Sequence, residues 1–258
     1  MTDVLPQSNE EYGTKEYWDK RYAQEAADAN FDWFKKYEDV ADLIREVVPD
    51  KAARILMLGC GNSTLSEDMY DDGYKNIVNI DARSSFSDIF INLTLPQYSP
   101  VVVEQMRNRH QNNRPEMSWH EMDIRALTFR DSTFDVAIDK GTMDAMMTAK
   151  GDVWGSGGIQ FTDGMPQDPP QQVIDDCTKE VDEVLRWVMV AASVLLREHY
   201  PYGCARVCSV LRKGTGIFLY LTFGQPHFRR RFLTRDGTSL EIKRIGEAFH
   251  YYFYIIRT

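Results

Sequence analysis

No apolar run in the 258-residue chain reaches the ~20 residues that a membrane span requires. The longest, Trp187 to Leu196, stops after ten residues at Arg197-Glu198. The first residues are polar and acidic, without the basic-then-apolar order of a secretory leader. Cysteine is scarce. Cys60, Cys177, Cys204 and Cys208 show no framework spacing, which argues against a disulfide scaffold, and Cys204-x-x-x-Cys208 reads as a poor metal site, so no metal is expected. Asn92-Leu93-Thr94 matches a glycosylation sequon formally, but nothing else points to secretion; the expectation is a cytoplasmic protein in a reducing compartment. Basic charge is in deficit, giving a net charge of −9. Neutralising phosphates needs a basic surface, so nonspecific nucleic-acid binding is not expected, and a basic protein partner is favoured instead. The one concentrated basic run, Arg229-Arg230-Arg231 with Arg235, reads as a solvated helix or loop face.

What the chain does have is centred on Arg54-Ile55-Leu56-Met57-Leu58-Gly59-Cys60-Gly61-Asn62-Ser63. Ile55 to Leu58 is the short continuous apolar run of a strand buried on both faces of a parallel sheet. It stops at a Gly-x-Gly turn, and the helical spacing of Thr64 to Tyr70 follows an Asn or Ser cap. Strand, glycine turn and helix together set backbone N–H groups against a ligand, and a side chain at Gly59 or Gly61 would hold that ligand away. A second strand, Asn76 to Ile80, ends in Asp81. An acid there, roughly 20 residues past the glycine turn, is placed to accept hydrogen bonds from ribose hydroxyls. The loop lacks the third glycine of the dinucleotide fingerprint, and no Gly-Lys-Ser/Thr follows it. The nucleoside is therefore not expected to be carried by a pyrophosphate, and a nicotinamide dehydrogenase is a weak alternative.

At this point the chain resembles the class I S-adenosylmethionine-dependent methyltransferases. The blocks Glu16 to Tyr22, Phe31-Asp32-Trp33-Phe34, Leu58 to Ser63, Asp139-Lys140-Gly141-Thr142-Met143-Asp144 and Gln225-Pro226-His227-Phe228-Arg229 narrow the resemblance to the methyltransferase-like 13 and elongation factor 1-alpha lysine methyltransferase group. The resemblance implies S-adenosylmethionine as cofactor and a lysine of translation elongation factor 1-alpha as substrate. It implies that Trp18, Tyr22 and Trp33 help line the cofactor pocket beside Gly59, Cys60, Gly61 and Asp81. Aromatic rings suit a sulfonium, because their faces attract a cation and exclude water. In this fold class the residue at Asp123 contacts the adenine amino group while a neighbour, here Ile124, packs on the ring; the rival reading makes Asp123 a helix cap for Ile124 to Leu127. Lys140 takes a cofactor-site role from the resemblance alone.

The remaining pattern fits one α/β domain after a loose tail at residues 1–10. The expected architecture is a seven-stranded, mostly parallel Rossmann-like sheet with its last strand antiparallel and helices on both faces. Helices are expected over Asp39 to Val48 and Val173 to Leu185, and a loop over Asp152 to Pro170. Strands are expected over Ser118 to Met122, Phe134 to Asp139, Gly216 to Phe223, Leu240 to Ile245 and Phe249 to Ile256. Two stretches interrupt the family pattern: Ala82 to Gln97 and Trp187 to Arg212. They read either as lineage-specific loops or as non-coding sequence carried into the reading frame.

Methyl transfer to an amine requires alignment and desolvation rather than a side-chain nucleophile. Asp144 is the one candidate catalytic group, as a base. Thr142, Phe223 and Gln225-Pro226-His227-Phe228 are candidates for the substrate groove. The Asn/Asp-Pro-Pro-aromatic block of exocyclic-amine nucleic-acid methyltransferases is missing after the fourth strand. A small-molecule methyltransferase and an inactive scaffold of the same fold remain as alternatives.

Overall fold

The computed structural model describes residues 5–26, 28–81, 101–148, 161–162, 165–166, 170–185, 209–247 and 249–258. Seven strands form the main sheet: β1 (Ile55–Leu58), β2 (Ile77–Asp81), β3 (Ser118–Glu121), β4 (Val136–Lys140), β5 (Ile217–Thr222), β6 (Ser239–Ile245) and β7 (Tyr251–Arg257). Their order is β3-β2-β1-β4-β5-β7-β6, and β7 is antiparallel to both its neighbours. The run Ile55–Leu58 is thus an inner strand, paired in parallel with β2 and β4, and all four of its residues are buried.

A strand sends alternate side chains to opposite faces, so an inner strand feeds two cores. Ile55 and Met57 join one core with α1 (Lys15–Gln24), α2 (Tyr37–Val47), α3 (Leu65–Asp71) and α4 (Val101–His110). Leu56 and Leu58 join the other with α5 (Thr142–Met147), α6 (Gln171–Leu185) and α7 (Pro226–Leu233). The 3.6-residue period shows directly in α2, where Val40, Ile44 and Val47 are buried on one stripe. That helix begins two residues earlier than its periodicity suggests, with the Asp39 carboxylate accepting the Lys36 N–H at 3.0 Å.

Asn9–Gly13 forms a 3-10 helix, whose first two residues fall within the stretch expected as a tail. The stretch Ala82 to Gln97 lies outside the described residues, as does 187–208, with the sequon and the Cys204/Cys208 pair inside them. The last four residues of the second stretch, 209–212, are described. Val210 and Leu211 are buried, the Phe134 N–H donates to the Val210 carbonyl at 2.9 Å, and the Arg212 N–H donates to the Phe134 carbonyl at 2.9 Å. The Ser209 hydroxyl donates to the Val184 carbonyl at 2.6 Å, so the chain returns beside the end of α6. Val210 and Leu211 therefore belong to the core, although they lie within the second stretch.

One buried acid pair ties the sheet to α6. The Asp139 carboxylate accepts the N–H groups of Thr142 and Met143, both at 2.9 Å, and so caps α5. Glu180, fully buried on α6, acts on the same carboxyl. Burial pushes the Asp139 carboxyl above its usual range, and the nearby Asp144 charge adds to this. The folded state then keeps a proton that the unfolded chain releases above its ordinary carboxylate pKa, so stability falls as pH rises from there towards the raised folded value, by up to about 1.4 kcal/mol per pH unit. Glu180→Gln removes the second buried acid. We expect urea midpoints of the wild type to decline from about pH 5 to pH 8 more steeply than those of the variant. Parallel profiles would show that Glu180 has no part in the pH dependence.

Candidate functional site

The carboxyl ends of β1, β2 and β4 open into a cavity of about 420 Å³, within the ~300–1,000 Å³ range of small-ligand sites. It gathers residues from segments far apart in the chain. Trp18 and Tyr22 on α1 and Trp33 in the loop after it form one wall. Gly59, Cys60 and Gly61 form the turn beneath, Asp81 closes β2, and Lys140 closes β4. Asp123 and Ile124 enter from the loop after β3, facing Gln172 and Asp176 at the start of α6. All ten cofactor-site candidates therefore border one space, and Thr142 joins them.

The glycine turn owes its sequence to more than ligand clearance. Gly59 and Gly61 have φ of +55° and +51°, the left-handed region that L side chains rarely enter. A Cβ on Gly59 would lie 2.1 Å from the Thr142 hydroxyl oxygen, and one on Gly61 would lie 2.7 Å from the Tyr22 hydroxyl. The neighbours of both positions are protein atoms, not only a prospective ligand. The Gly61 N–H donates to Asp81 Oδ2 at 2.7 Å, locking the acid to the turn. Burial pushes the Cys60 thiol well above its usual range and the Asp81 charge reinforces this, so Cys60 stays protonated and is no nucleophile.

Lys140 is anchored by a residue that motif reading did not single out. Its ammonium donates to Asp32 Oδ1 at 2.7 Å and to the Trp33 carbonyl at 3.2 Å. Asp32 also accepts from the Ser63 hydroxyl and, at 2.9 Å, from the Thr64 hydroxyl. Burial alone would raise the Asp32 carboxyl, but the Lys140 charge and these donors hold it below its usual value. Burial in turn lowers the Lys140 ammonium, opposed by Asp32. The signal in the sequence was a single acid inside the aromatic block Phe31 to Phe34.

Asp123 makes a tight turn rather than a helix cap: it accepts the Arg125 N–H at 2.8 Å, and no helix follows in the described residues before Val136. The Arg125 guanidinium also bridges Asp123, at 2.8 Å, to Asp176 of α6, at 3.0 Å.

A second cavity, of about 240 Å³, shares Trp33, Gly141 and Ala145 with the first. Asp144 and Phe223 border it, together with Tyr12 and Phe34. Gln225, Pro226, His227 and Phe228 border neither cavity; they start α7. Asp144 is 5% exposed and fully engaged. Oδ1 accepts from Thr222 at 2.6 Å and from Arg229 at 2.7 Å, and Oδ2 accepts from the Tyr220 hydroxyl at 2.9 Å. A carboxylate so occupied holds Arg229 in place. Of the basic run expected to be solvated, Arg230 and Arg231 are exposed, but Arg229 is a correction: it is 1% exposed, while Arg235 is paired with Asp182 at 2.8 Å.

No family model matches the chain. It is 31% identical over 255 residues to the mouse (Mus musculus) EEF1A lysine methyltransferase 4, covering 98% of this chain and 78% of that protein. It is 38% identical over 151 residues to the mouse eEF1A lysine and N-terminal methyltransferase, a match spanning 58% of this chain but only 19% of that relative's length. Among solved structures, the PH0226 protein from Pyrococcus horikoshii OT3 superposes with a TM-score of 0.54 at 14% identity, covering 95% of this chain and 99% of that one. That likeness shows the fold alone.

Proposed function

The chain belongs to the family of EEF1A lysine methyltransferase 4, and from that premise we propose that it transfers a methyl group from S-adenosylmethionine to a lysine side chain of translation elongation factor 1-alpha. The observation that carries the reading is the convergence on one cavity of an acid at the end of β2, a positive-φ glycine turn and an aromatic wall. These residues fit a sulfonium nucleoside. Asp81 would hold the ribose hydroxyls, Asp123 and Ile124 the adenine, and Trp18, Tyr22 and Trp33 the cationic end. When bound, the cofactor supplies an electrophilic methyl group; the chain's own part is to bind, align and keep out water. An elongation factor substrate sets the work in the cytoplasm. Among the described residues no helix is long and apolar enough to cross a membrane.

Two measurements test this. Calorimetric titration with S-adenosylhomocysteine should give a saturable site, and Asp81→Ala should weaken it by ~1–3 kcal/mol, the scale of charged hydrogen bonds to buried hydroxyls. Unchanged affinity would remove Asp81 from the ribose. Incubation with labelled S-adenosylmethionine and the elongation factor should label a lysine. The same assay belongs on a variant lacking 82–97 and 187–208, which keeps the buried Val210 and Leu211. If neither form labels a lysine, the substrate assignment fails; if only the shorter one does, the two stretches block the activity.

A further inference from the structure

The second cavity has an unusual wall. Phe34 has φ of +66°, a region that costs a bulky side chain strain. The Lys35 N–H donates to the Trp33 carbonyl at 2.8 Å across it, which closes the rare three-residue γ-turn. Two observations explain how such a turn persists. The Lys140 ammonium, itself paired with Asp32, holds the same Trp33 carbonyl from the cofactor side. The Phe34 ring lies over Gly141, where a Cβ would approach it to 3.1 Å, and meets the Phe223 ring at 5.2 Å between centroids. Across the cavity Tyr12 packs edge-on against Trp33 at 5.2 Å. Strain kept in place by a buried ion pair, and spent on aiming one ring into a cavity, points to a ligand.

Resting on the function proposed above, we propose that this cavity receives the substrate's alkyl-ammonium side chain, with Phe34, Phe223, Tyr12 and Trp33 as its walls. The chemistry follows from the lining. Four rings accept a methylene stem along their faces and tolerate an ammonium head. The carboxylate that borders the cavity, Asp144, is already neutralised by Arg229, so it does not pin an incoming amine in its charged form. Trp33, Gly141 and Ala145 border both cavities, so an amine at the inner end lies next to the cofactor space. Lys140 acts here as a positioning residue, through the Trp33 carbonyl.

The test separates this cavity from the choice of substrate. n-Butylamine, a mimic of the lysine side chain, is titrated by NMR into protein saturated with S-adenosylhomocysteine, alongside 1-butanol. We expect n-butylamine to shift the Trp33 indole signal and to bind at least tenfold more weakly to Phe34→Ala and Phe223→Ala, with S-adenosylhomocysteine affinity within twofold of wild type. Phe34→Tyr should retain binding. With the elongation factor as substrate, Phe34→Ala should raise KM at least tenfold, with a smaller change in kcat. Failure of n-butylamine to bind, equal binding to wild type and both alanine variants, or an unchanged KM would overturn the assignment. If n-butylamine binds as described but no elongation factor lysine is methylated, the cavity assignment stands and the proposed substrate falls.

Discussion

Arg229→Met is expected to destabilise the fold by about 3–5 kcal/mol, the cost of stranding a buried charge. The guanidinium is 1% exposed, donating to Asp144 at 2.7 Å and to the Tyr220 hydroxyl at 3.0 Å. Burial pushes the Tyr220 phenol well above its usual range, so it stays protonated and serves Asp144 as a donor. Methionine fills much of the arginine's volume, so the loss is electrostatic rather than a cavity. Two hydroxyls would remain on Asp144, but no cation, and the carboxylate would have to take up a proton or draw in water. The second half of the prediction concerns the pair. Arg229→Met with Asp144→Leu should recover part of the loss, because a buried ion pair replaced by apolar groups is often close to neutral. Urea unfolding of wild type, both single variants and the double variant gives the coupling. An Arg229→Met cost below about 1 kcal/mol would mean that Asp144 does not depend on this partner.

That Ile55–Leu58 is legible in the sequence and the burial of Arg229 is not is a matter of range. A strand buried on both faces is written in four consecutive apolar residues, and its helix and second strand follow within the next 23 residues, up to Asp81. The glycine turn and Asp81 are therefore local features, and their hydrogen bond spans only 20 positions. Arg229 meets Asp144 across 85 positions, and Lys140 meets Asp32 across 108. No local period encodes such pairs, and three adjacent arginines look alike in composition. A weaker signal did exist. Arg229, Phe232 and Leu233 stand at i, i+3 and i+4 and are the buried face of α7, so the helical period itself singles out Arg229 from Arg230 and Arg231. The same limit explains Ser209 to Arg212. Its two buried residues, Val210 and Leu211, are too short a run to register as an element, and only their pairing with Phe134 makes them core.

The aromatic block near the start of the chain carries two kinds of information, and only one is legible as pattern. Its apolar face on α1, with Tyr17, Trp18 and Tyr22 buried, follows from helical spacing. The strained turn at Phe34 does not, because nothing in Trp33-Phe34-Lys35 announces a positive φ without glycine or asparagine. That conformation depends on Lys140 and Gly141 arriving from β4, more than 100 residues later, as the separation of Lys140 from Asp32 illustrates. A functional site assembled from distant segments is where local reading is expected to stop.

The second large effect is expected of Gly59→Val, and it distinguishes two reasons for the glycine. If the position only keeps bulk away from a ligand, the variant should fold as well as wild type and simply fail to bind. The geometry predicts that both properties suffer. A β-branched residue at φ of +55° costs roughly 1–2 kcal/mol in backbone strain. Its Cβ would also sit 2.1 Å from Thr142 Oγ1 and 2.5 Å from Thr142 Cγ2. Thr142 cannot turn aside freely, because its hydroxyl donates to the carbonyls of Leu58 at 3.0 Å and Gly59 at 3.2 Å, and its N–H caps on Asp139. Overpacking of this kind adds about 1–3 kcal/mol, so the expected loss of stability is roughly 2–5 kcal/mol in all. Binding of S-adenosylhomocysteine should weaken by more than about 100-fold, since the displaced turn carries the Gly61 N–H that fixes Asp81. Combining Gly59→Ala with Thr142→Gly removes the collision but not the strain, and should unfold at a higher urea concentration than Gly59→Ala alone. Should Gly59→Val keep the wild-type urea midpoint while losing the ligand, contact with Thr142 would not be the reason for the glycine, and clearance for the ligand would be.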